Sequence, residues 1–199
     1  MNRPTTCFMN HQNDINYKMR QILVDWIISV CIAYSVSDEI LHLSVAILDN
    51  YLSLCQVTRK QLQCVGITAF YIACKLDEEI IPSLQDIAWI CTNVYTTKEI
   101  AEMENTILSK LDYNVMLDTM KNYLSCKHSS RELNFLFDSI LLNKDILYGY
   151  DVDELIESCV EASTNTGNYW SFCVTEILNH RKSIKITNFP ELMKKYKYV

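Results

Sequence analysis

The stretch MRQILVDWIISVCIAY, residues 19–34, decides the fold class of this chain. Its apolar side chains recur at intervals of three and four residues, at Met19, Ile22, Leu23, Trp26, Ile27, Val30, Cys31 and Tyr34. This spacing is typical of an α-helix that buries one face. We therefore predict a long amphipathic helix here, with similar helices on the C-terminal side.

The composition supports an all-helical fold for the whole chain. Of 199 residues, 49% are hydrophobic and only 3 are Gly and 3 are Pro. β-Sandwiches need frequent turn residues, and a dinucleotide-binding fold needs a glycine-rich turn after its first strand. Both classes are disfavoured, and we predict an all-α protein.

Helix-start signals divide the first half of the chain into five predicted helices. Ser37, Thr58, Ser83 and Thr96 each stand at a predicted helix start, and Thr58 and Thr96 have the spacing of a capping box with Gln61 and Glu99. The polar residues 1–16 predict an irregular N-terminal arm, and residues 17–113 a compact five-helix unit.

Weaker signals continue through residues 114–199, which we predict to form a shorter second helical unit. Helices are expected at about 118–125, 133–141, 151–162 and 169–178, and a capping box at residues 129–132. Pro190 stands at a plausible first-turn position of one more helix.

Charge and sequence motifs narrow the function to protein binding. The net charge is −6, and the basic residues are scattered, which argues against nucleic acid as a partner. No apolar run is long enough for a membrane span. No phosphate-binding or hydrolase motif occurs, so we predict neither an enzyme nor catalytic residues nor a cofactor.

The cysteines and histidines do not form a recognisable metal site. The chain has 9 Cys, and none forms a CxxC pair, so we expect reduced, buried thiols in an intracellular protein. A lone helical histidine such as His42 is typical of the surface or the core edge. We therefore predict no metal ligands.

Several segments resemble the cyclin family. MRQILVDW at 19–26 resembles the opening helix of the cyclin box in A- and B-type cyclins. Further resemblances follow in order across residues 18–113: LHLSV at 41–45, LDNYLS at 48–53, LQCVG at 62–66, ACKLDE at 73–78, YT at 95–96 and MEN at 103–105. The resemblance implies a cyclin fold, with a first five-helix box followed by a second one that is shortened here.

The resemblance also implies a function in cell-cycle control. A cyclin is a non-catalytic regulatory subunit that forms a heterodimer with a cyclin-dependent kinase and activates it. The matching kinase-binding positions are Lys75 and Glu104, with Leu76, Leu108 and Tyr113 as apolar neighbours. Without the family pattern, Lys75 and Glu104 would be interpreted as a solvated surface pair.

A second implied surface recruits RxL-type substrates or inhibitors. Its matching residues are Met19, Ile22, Leu23, Trp26, Leu62 and Gln63; the alternative is that all six only pack helices together. Ser29 stands where mitotic cyclins often carry Glu, so we expect a weaker preference for the motif's Arg. The resemblance pairs Arg20 with Asp49 as a structural ion pair, because an unpaired buried charge is costly.

Other interpretations stay open at this point. The runner-up is a cyclin-fold interaction module, either a decoy or a transcription-associated protein, that does not activate a kinase. We expect an intracellular location, nuclear or cytoplasmic, and the residue usage would suit a viral homologue acting in a host cell. No long tail precedes the arm, so we expect a subunit that escapes timed proteolysis.

Overall fold

The computed structural model of the chain describes residues 3–77, 81–123, 130–164, 172–185 and 187–196. Over these residues it contains eleven helices and no strand. The predicted all-α class is confirmed.

The first five helices begin where the sequence signals place them. Their bounds are α1 Tyr17–Tyr34, α2 Asp38–Leu54, α3 Arg59–Asp77, α4 Leu84–Ile90 and α5 Thr97–Lys110. The side chains of Ser37, Ser83 and Thr96 accept backbone N–H groups in the first turns of α2, α4 and α5. These three N-caps are confirmed, and each satisfies a donor that has no partner inside its helix.

The remaining helices agree less closely with the predictions. Their bounds are α6 Met120–Tyr123, α7 Arg131–Ile140, α8 Lys144–Gly149, α9 Val152–Thr164, α10 Phe172–Ser183 and α11 Pro190–Lys195. Helix α8 was not predicted. The N-cap of α7 is Ser130, whose hydroxyl accepts from the N–H of Leu133, while Ser129 lies outside the described residues. The predicted helix ends at 125 and 169 also lie outside them, and the division of the chain at residue 113 stays a prediction.

Helix α3 lies at the centre of the first half, with α1, α2 and α5 packed against it. A Cβ atom added at Gly66 would lie 2.8 Å from both Cδ atoms of Leu23 on α1. Real Cβ contacts are never this short, so the absent side chain lets α1 and α3 approach closely. The pair Tyr34 and Phe70 continues this contact as an edge-to-face ring pair with centroids 6.2 Å apart.

Helix α11 returns from the far end of the chain and packs against α1. The carboxylate of Asp25 accepts the N–H of Leu192 at 3.0 Å and the N–H of Glu191 at 3.2 Å. These are first-turn donors of α11, so Asp25 acts as an N-cap supplied by a distant helix. The face of α1 that carries Asp25 is thereby buried against α11.

The N-terminal arm is irregular but firmly packed. Residues 3–16 form turns, and Phe8 and Met9 among them are buried. Arg3 donates to the carbonyl oxygens of Leu147 and Tyr150. The arm therefore connects the beginning of the chain to α8 and the residue that follows it.

A buried charge cluster joins α2, α6, α7 and the end of α11. It consists of Asp38, His42, Lys121, Asp138, Lys195 and Tyr196. Asp138 is completely buried and accepts from His42 at 3.0 Å and from Lys195 and Tyr196 at 2.7 Å each. The expectation that His42 lies at the surface or core edge was wrong, because its partner Asp138 lies on a different helix and offers it a buried acceptor.

The described cysteines are free thiols. Six of them are buried, namely Cys31, Cys64, Cys74, Cys91, Cys159 and Cys173. Cys55 is half-buried, and Cys7, in the N-terminal arm, is exposed, which departs from the expectation of burial. Cys126 lies outside the described residues.

Candidate protein-interaction site

Lys75 and Glu104 meet at the surface where the last turn of α3 passes the middle of α5. Lys75 Nζ donates to Glu104 Oε1 at 2.6 Å, and the same ammonium lies 4.7 Å from the ring centroid of Tyr71. Burial alone would lower the pKa of Lys75, but the hydrogen bond and the negative charge of Glu104 raise it above its ordinary value. The ammonium is therefore fully charged at neutral pH.

Apolar side chains follow both members of this ion pair along the chain, with Leu76 directly after Lys75 and Leu108 one helical turn after Glu104. Leu76 is exposed and Leu108 is half-buried, while Tyr113 is 72% exposed and Met116 is 81% exposed. A hollow of 390 Å³ opens beside Leu76 and Met116 and extends to Leu43 on α2. Met116 was not among the predicted residues, because a methionine in a loop carries no periodic signal.

The backbone after α5 presents Tyr113 to solvent. Asp112 and Tyr113 both adopt left-handed φ values, 49° and 58°. The N–H of Tyr113 donates to the carbonyl oxygen of Leu108 at 2.8 Å, which closes the helix end in this conformation. Non-glycine residues in this region carry backbone strain that the surrounding structure must hold in place.

A second surface feature, here called the α1–α3 groove, brings together all six predicted docking residues. The groove has a volume of 310 Å³ and is lined by Met19, Ile22, Leu23, Trp26, Leu62, Gln63 and Arg59. Leu23 and Leu62 are buried, whereas Ile22 is 60% exposed. Arg59 was not predicted as part of this surface, because its position at a helix start has no apolar pattern.

The charged groups near the groove are unevenly distributed. Its lining contains one cation, Arg59, and no carboxylate. Ser29, one turn beyond Trp26, donates its hydroxyl proton to the Trp26 carbonyl oxygen at 2.7 Å. The carboxylate of Asp25 is turned away and bonded to α11. An arginine on a bound peptide would therefore find no anion among the groove's lining residues.

Arg20 and Asp49 form an ion pair inside the protein. Arg20 Nε donates to Asp49 Oδ1 at 2.6 Å and Nη2 donates to Oδ2 at 2.5 Å, with both side chains fully buried. Arg20 Nη1 reaches the Leu141 carbonyl oxygen at 2.9 Å, and the Tyr148 hydroxyl donates to Asp49 at 2.5 Å. The pair has no access to a partner protein and holds α1, α2 and the residues around α8 together.

The described parts of the chain contain neither a candidate metal centre nor a membrane-spanning helix. Within them, no group of three or more His, Cys, Asp or Glu side chains is arranged to hold a metal ion. No described helix combines the length and the apolar character that crossing a membrane requires.

Comparison with known proteins identifies plant cyclins among the sequence relatives of this chain. The chain matches the family described as "Cyclin, N-terminal domain" over residues 1–116. It is 34% identical to Cyclin-B2-3 of Arabidopsis thaliana over 78% of this chain and 37% of that protein. It is 41% identical to Cyclin-B2-1 of Oryza sativa subsp. japonica over 67% of this chain and 33% of that protein. The chain spans well under half the length of these curated relatives.

A solved structure agrees with the chain over nearly its full length. The X-ray structure of a viral cyclin from herpesvirus saimiri superposes with a TM-score of 0.72, covering 98% of this chain and 92% of that one. The two sequences are 18% identical, so this likeness concerns the fold alone. It confirms the predicted cyclin fold. On the family match and the shared fold together, this chain belongs to the cyclin family.

Proposed function

We propose that this chain is a non-catalytic regulatory subunit that binds and activates a cyclin-dependent kinase in cell-cycle control. The observation that carries the proposal is the Lys75–Glu104 pair, held at 2.6 Å beside exposed apolar side chains. We call this pair, together with Leu76, Leu108, Tyr113 and Met116, the kinase-docking surface.

The chemistry of this surface suits a partner helix. A surface ion pair by itself contributes at most about 1 kcal/mol to stability, so stability alone does not account for it. Lys75 has two N–H donors beyond the one bonded to Glu104, and the carboxylate of Glu104 has further acceptor sites. These groups can bond to the main chain at a helix end, while Leu76, Tyr113 and Met116 pack against its apolar face.

Activation follows from selective binding. A cyclin that binds the active kinase conformation more tightly than the inactive one shifts the equilibrium toward it. In that conformation the kinase's regulatory helix is turned inward and its activation segment is open. The kinase's own Lys–Glu pair and magnesium ligands are then in place for phosphoryl transfer.

The α1–α3 groove is proposed to recruit substrates or inhibitors that carry an RxL-type motif. Its apolar floor and the exposed Ile22 suit the leucine of such a peptide. Ser29 supplies no carboxylate for the motif's arginine, so selectivity for that charge is reduced. The proposed partners are therefore a kinase and docking peptides, without nucleic acid or membrane, and the proposed location is the nucleus or the cytoplasm.

The alternative function is a cyclin-fold interaction module that does not activate a kinase, acting as a decoy or in transcription. The net charge of −6 disfavours a DNA-binding version. A decoy would bind the kinase through the same surface, so only an activity measurement distinguishes it from an activator.

The kinase-docking surface is tested with the double variant Lys75→Ala/Glu104→Ala. Kinase capture from cell extract and phosphorylation of a basic substrate should fall at least tenfold, because both bonds to the partner's main chain are lost. The matched control is Lys98→Ala/Glu102→Ala, which removes an exposed ion pair on the same helix α5. It should leave capture and activity unchanged, and circular dichroism should show equal helicity in all proteins.

Each result of this experiment has one meaning. If the wild-type chain captures a kinase but the captured kinase does not phosphorylate the basic substrate, the decoy function is favoured. If the wild-type chain captures no kinase, or if the Lys75/Glu104 variant captures it as well as the wild type does, the proposed binding surface is wrong.

Reduced charge selectivity in the groove is tested with Ser29→Glu. The new carboxylate should bind a peptide's arginine and raise affinity for an RxL peptide by about threefold to tenfold, a typical gain for a charge-assisted hydrogen bond. A version of the peptide with Gln in place of Arg is the control and should not gain. Equal affinity of Ser29→Glu and wild type for the Arg peptide would refute the expectation.

A further inference from the structure

A buried aromatic ring supports the ammonium group of Lys75. Lys75 Nζ lies over the ring of Tyr71, 4.7 Å from its centroid, inside the range of about 6 Å in which a cation is attracted to an aromatic face. Tyr71 precedes Lys75 by four residues on α3, a spacing that makes two side chains neighbours on one face of a helix. Because Tyr71 is only 8% exposed, its ring is held by the core and gives the ammonium a fixed support.

Two contacts from different helices therefore fix the position of this ammonium. The ring of Tyr71 belongs to α3, and the carboxylate of Glu104, which accepts from Lys75 Nζ at 2.6 Å, belongs to α5. The side chain of Lys75 is still 42% exposed, so the ammonium is fixed without being covered. An unsupported lysine at a surface samples many rotamers, and ordering it when a partner binds costs conformational entropy. The support from Tyr71 reduces this cost, because the ammonium is in place before a partner arrives.

We propose that Tyr71 is a positioning residue for partner binding, whose ring holds the ammonium of Lys75 at the kinase-docking surface. This inference rests on the proposed kinase-binding function and adds to it a requirement for an aromatic side chain at position 71. A partner that covers Lys75 removes water from the ammonium, and the attraction between a cation and a ring is stronger after such desolvation. The contact therefore stabilises the complex more than it stabilises the free chain.

The test compares two substitutions of Tyr71 in the full chain. Tyr71→Leu removes the ring but keeps an apolar side chain in the core, whereas Tyr71→Phe keeps the ring and removes only the hydroxyl. The dissociation constant for a purified cyclin-dependent kinase is measured by surface plasmon resonance. Tyr71→Leu should raise it about fivefold, the size expected for a cation–π contact that loses water, and Tyr71→Phe should stay within about twofold of wild type.

A double-mutant cycle with Lys75 separates positioning from a general effect on the fold. In the background of Lys75→Met there is no ammonium to position, so adding Tyr71→Leu should weaken kinase binding by less than about twofold. If Tyr71 only supported the fold, its substitution would weaken binding by the same factor in both backgrounds.

Nuclear magnetic resonance gives a readout that needs no kinase. In the free chain, the ε-methylene protons of Lys75 should resonate upfield of those of exposed lysines, because the face of the Tyr71 ring shields them. The signal is assigned by its absence in Lys75→Met. It should move to the ordinary lysine position in Tyr71→Leu and stay upfield in Tyr71→Phe.

Phe70→Leu is the matched control for loss of a buried ring from α3. Phe70 is completely buried, and its ring packs edge-to-face against that of Tyr34 on α1. Its substitution loosens the same helix without removing the support of Lys75. Kinase affinity and the Lys75 signal should therefore both remain as in wild type.

The possible failures are distinguishable. If wild type binds the kinase and Tyr71→Leu binds it equally well, or if Phe70→Leu weakens binding as much as Tyr71→Leu does, kinase binding stands and the role of Tyr71 is wrong. An ordinary Lys75 signal in the wild-type spectrum would also refute that role. If wild type binds no kinase, the proposed function fails and this inference fails with it.

Discussion

At the scale of single residues, Arg20 illustrates how an ion pair can be necessary inside an apolar helix face. Burial alone would lower the pKa of this guanidinium, but the charge and hydrogen bonds of Asp49 raise it above its ordinary value. The pair is costly to desolvate, and its net benefit over an apolar replacement is small. Removing only one partner is different, because the other charge then stays buried without compensation.

We therefore predict that Arg20→Met destabilises the protein by about 3–5 kcal/mol in urea unfolding, the usual cost of leaving a buried charge unpaired. Asp49 would keep only the hydroxyl of Tyr148 among the hydrogen bonds described above. Lys98→Met is the matched control, since Lys98 pairs with Glu102 in solvent at 3.7 Å, and we expect a change below about 0.5 kcal/mol. A loss below about 1 kcal/mol for Arg20→Met would contradict the prediction.

The sequence could identify the members of long-range contacts only where a family pattern accompanied them. Lys75 and Glu104 are 29 positions apart, and the pairing of Arg20 with Asp49 spans the same distance, so no local spacing indicates either contact. Arg59 was not predicted, because the residues that the resemblance implies for the docking surface include no charged residue. The kinase-binding and docking roles themselves stay predictions until the variants above are measured.

At the scale of helices, local chemistry was the part that the sequence could predict. An N-cap such as Ser37 or Thr96 bonds to a residue three positions later, so its signal is contained in a few letters. Helix α8 has six residues, fewer than two turns, and cannot show an apolar period. Its N-cap, Asn143, bonds to Asp145 and Ile146 and was the available local signal.

The close approach of α1 and α3 gives a prediction at this scale. In Gly66→Ala the new methyl group would displace Leu23, and overpacking of this kind costs about 1–3 kcal/mol, against about 1 kcal/mol gained from helix propensity. We expect net destabilisation of about 1 kcal/mol in urea unfolding and weaker binding of docking peptides, because Leu23 lines the groove.

Gly149→Ala is the matched control for this experiment. A Cβ at Gly149 would meet only Thr6 Cγ2, at an ordinary 3.9 Å. The substitution should leave peptide binding unchanged and leave stability equal or slightly higher. If Gly66→Ala proves as stable as wild type and binds peptides equally, Leu23 has room to move and the packing argument is wrong.

At the scale of the whole molecule, the buried charge cluster connects helices that are far apart in sequence. Burial would raise the pKa of Asp138, but the hydrogen bond from His42 and the charge of Lys195 outweigh it and hold that pKa well below its usual range. Burial and the charge of Asp138 would raise the pKa of Asp38, but Lys195 and Lys121 outweigh both and lower it overall. Lys195 is thus the cation that both carboxylates share.

The buried charge cluster predicts that the protein becomes less stable as the pH falls. In an unfolded chain an Asp carboxyl group has a pKa of about 3.9, and both of these groups have lower pKa values in the folded state. Their full contribution to the free energy of unfolding is therefore present above about pH 5. This contribution is lost as the pH falls through 4 toward the pKa values of the folded state, because the unfolded state then binds more protons than the folded state does. The free energy of unfolding should therefore decrease between pH 5 and pH 3.

Replacing the shared cation tests this interpretation. Lys195→Met should cost about 2–4 kcal/mol at pH 7, where two carboxylates lose the cation that they share. The difference from wild type should shrink toward pH 3. Lys194→Met, which removes an exposed pair with Glu191, is the matched control and should follow wild type at every pH. The same gap between Lys195→Met and wild type at pH 7 and pH 3 would rule out the proposed coupling.

Long-range pairing marks the limit of what the sequence could predict for the whole molecule. The fold class followed from composition and apolar period, and the cyclin fold from motifs across residues 18–113. The contacts of the second half had no such guide: Lys195 lies 157 positions from Asp38 and 57 from Asp138. Each of these residues alone resembles an ordinary surface charge, and only the folded chain brings them together.

The cap that Asp25 supplies to α11 also sets an order of events during protein synthesis. Its partners Glu191 and Leu192 are 166 and 167 positions away, so a ribosome makes the capping residue long before the helix that it caps. Until α11 emerges, the face of α1 that it covers stays open to water and to chaperones. Premature termination before Pro190 would leave that face open permanently, and such a product should be a target for cellular quality control.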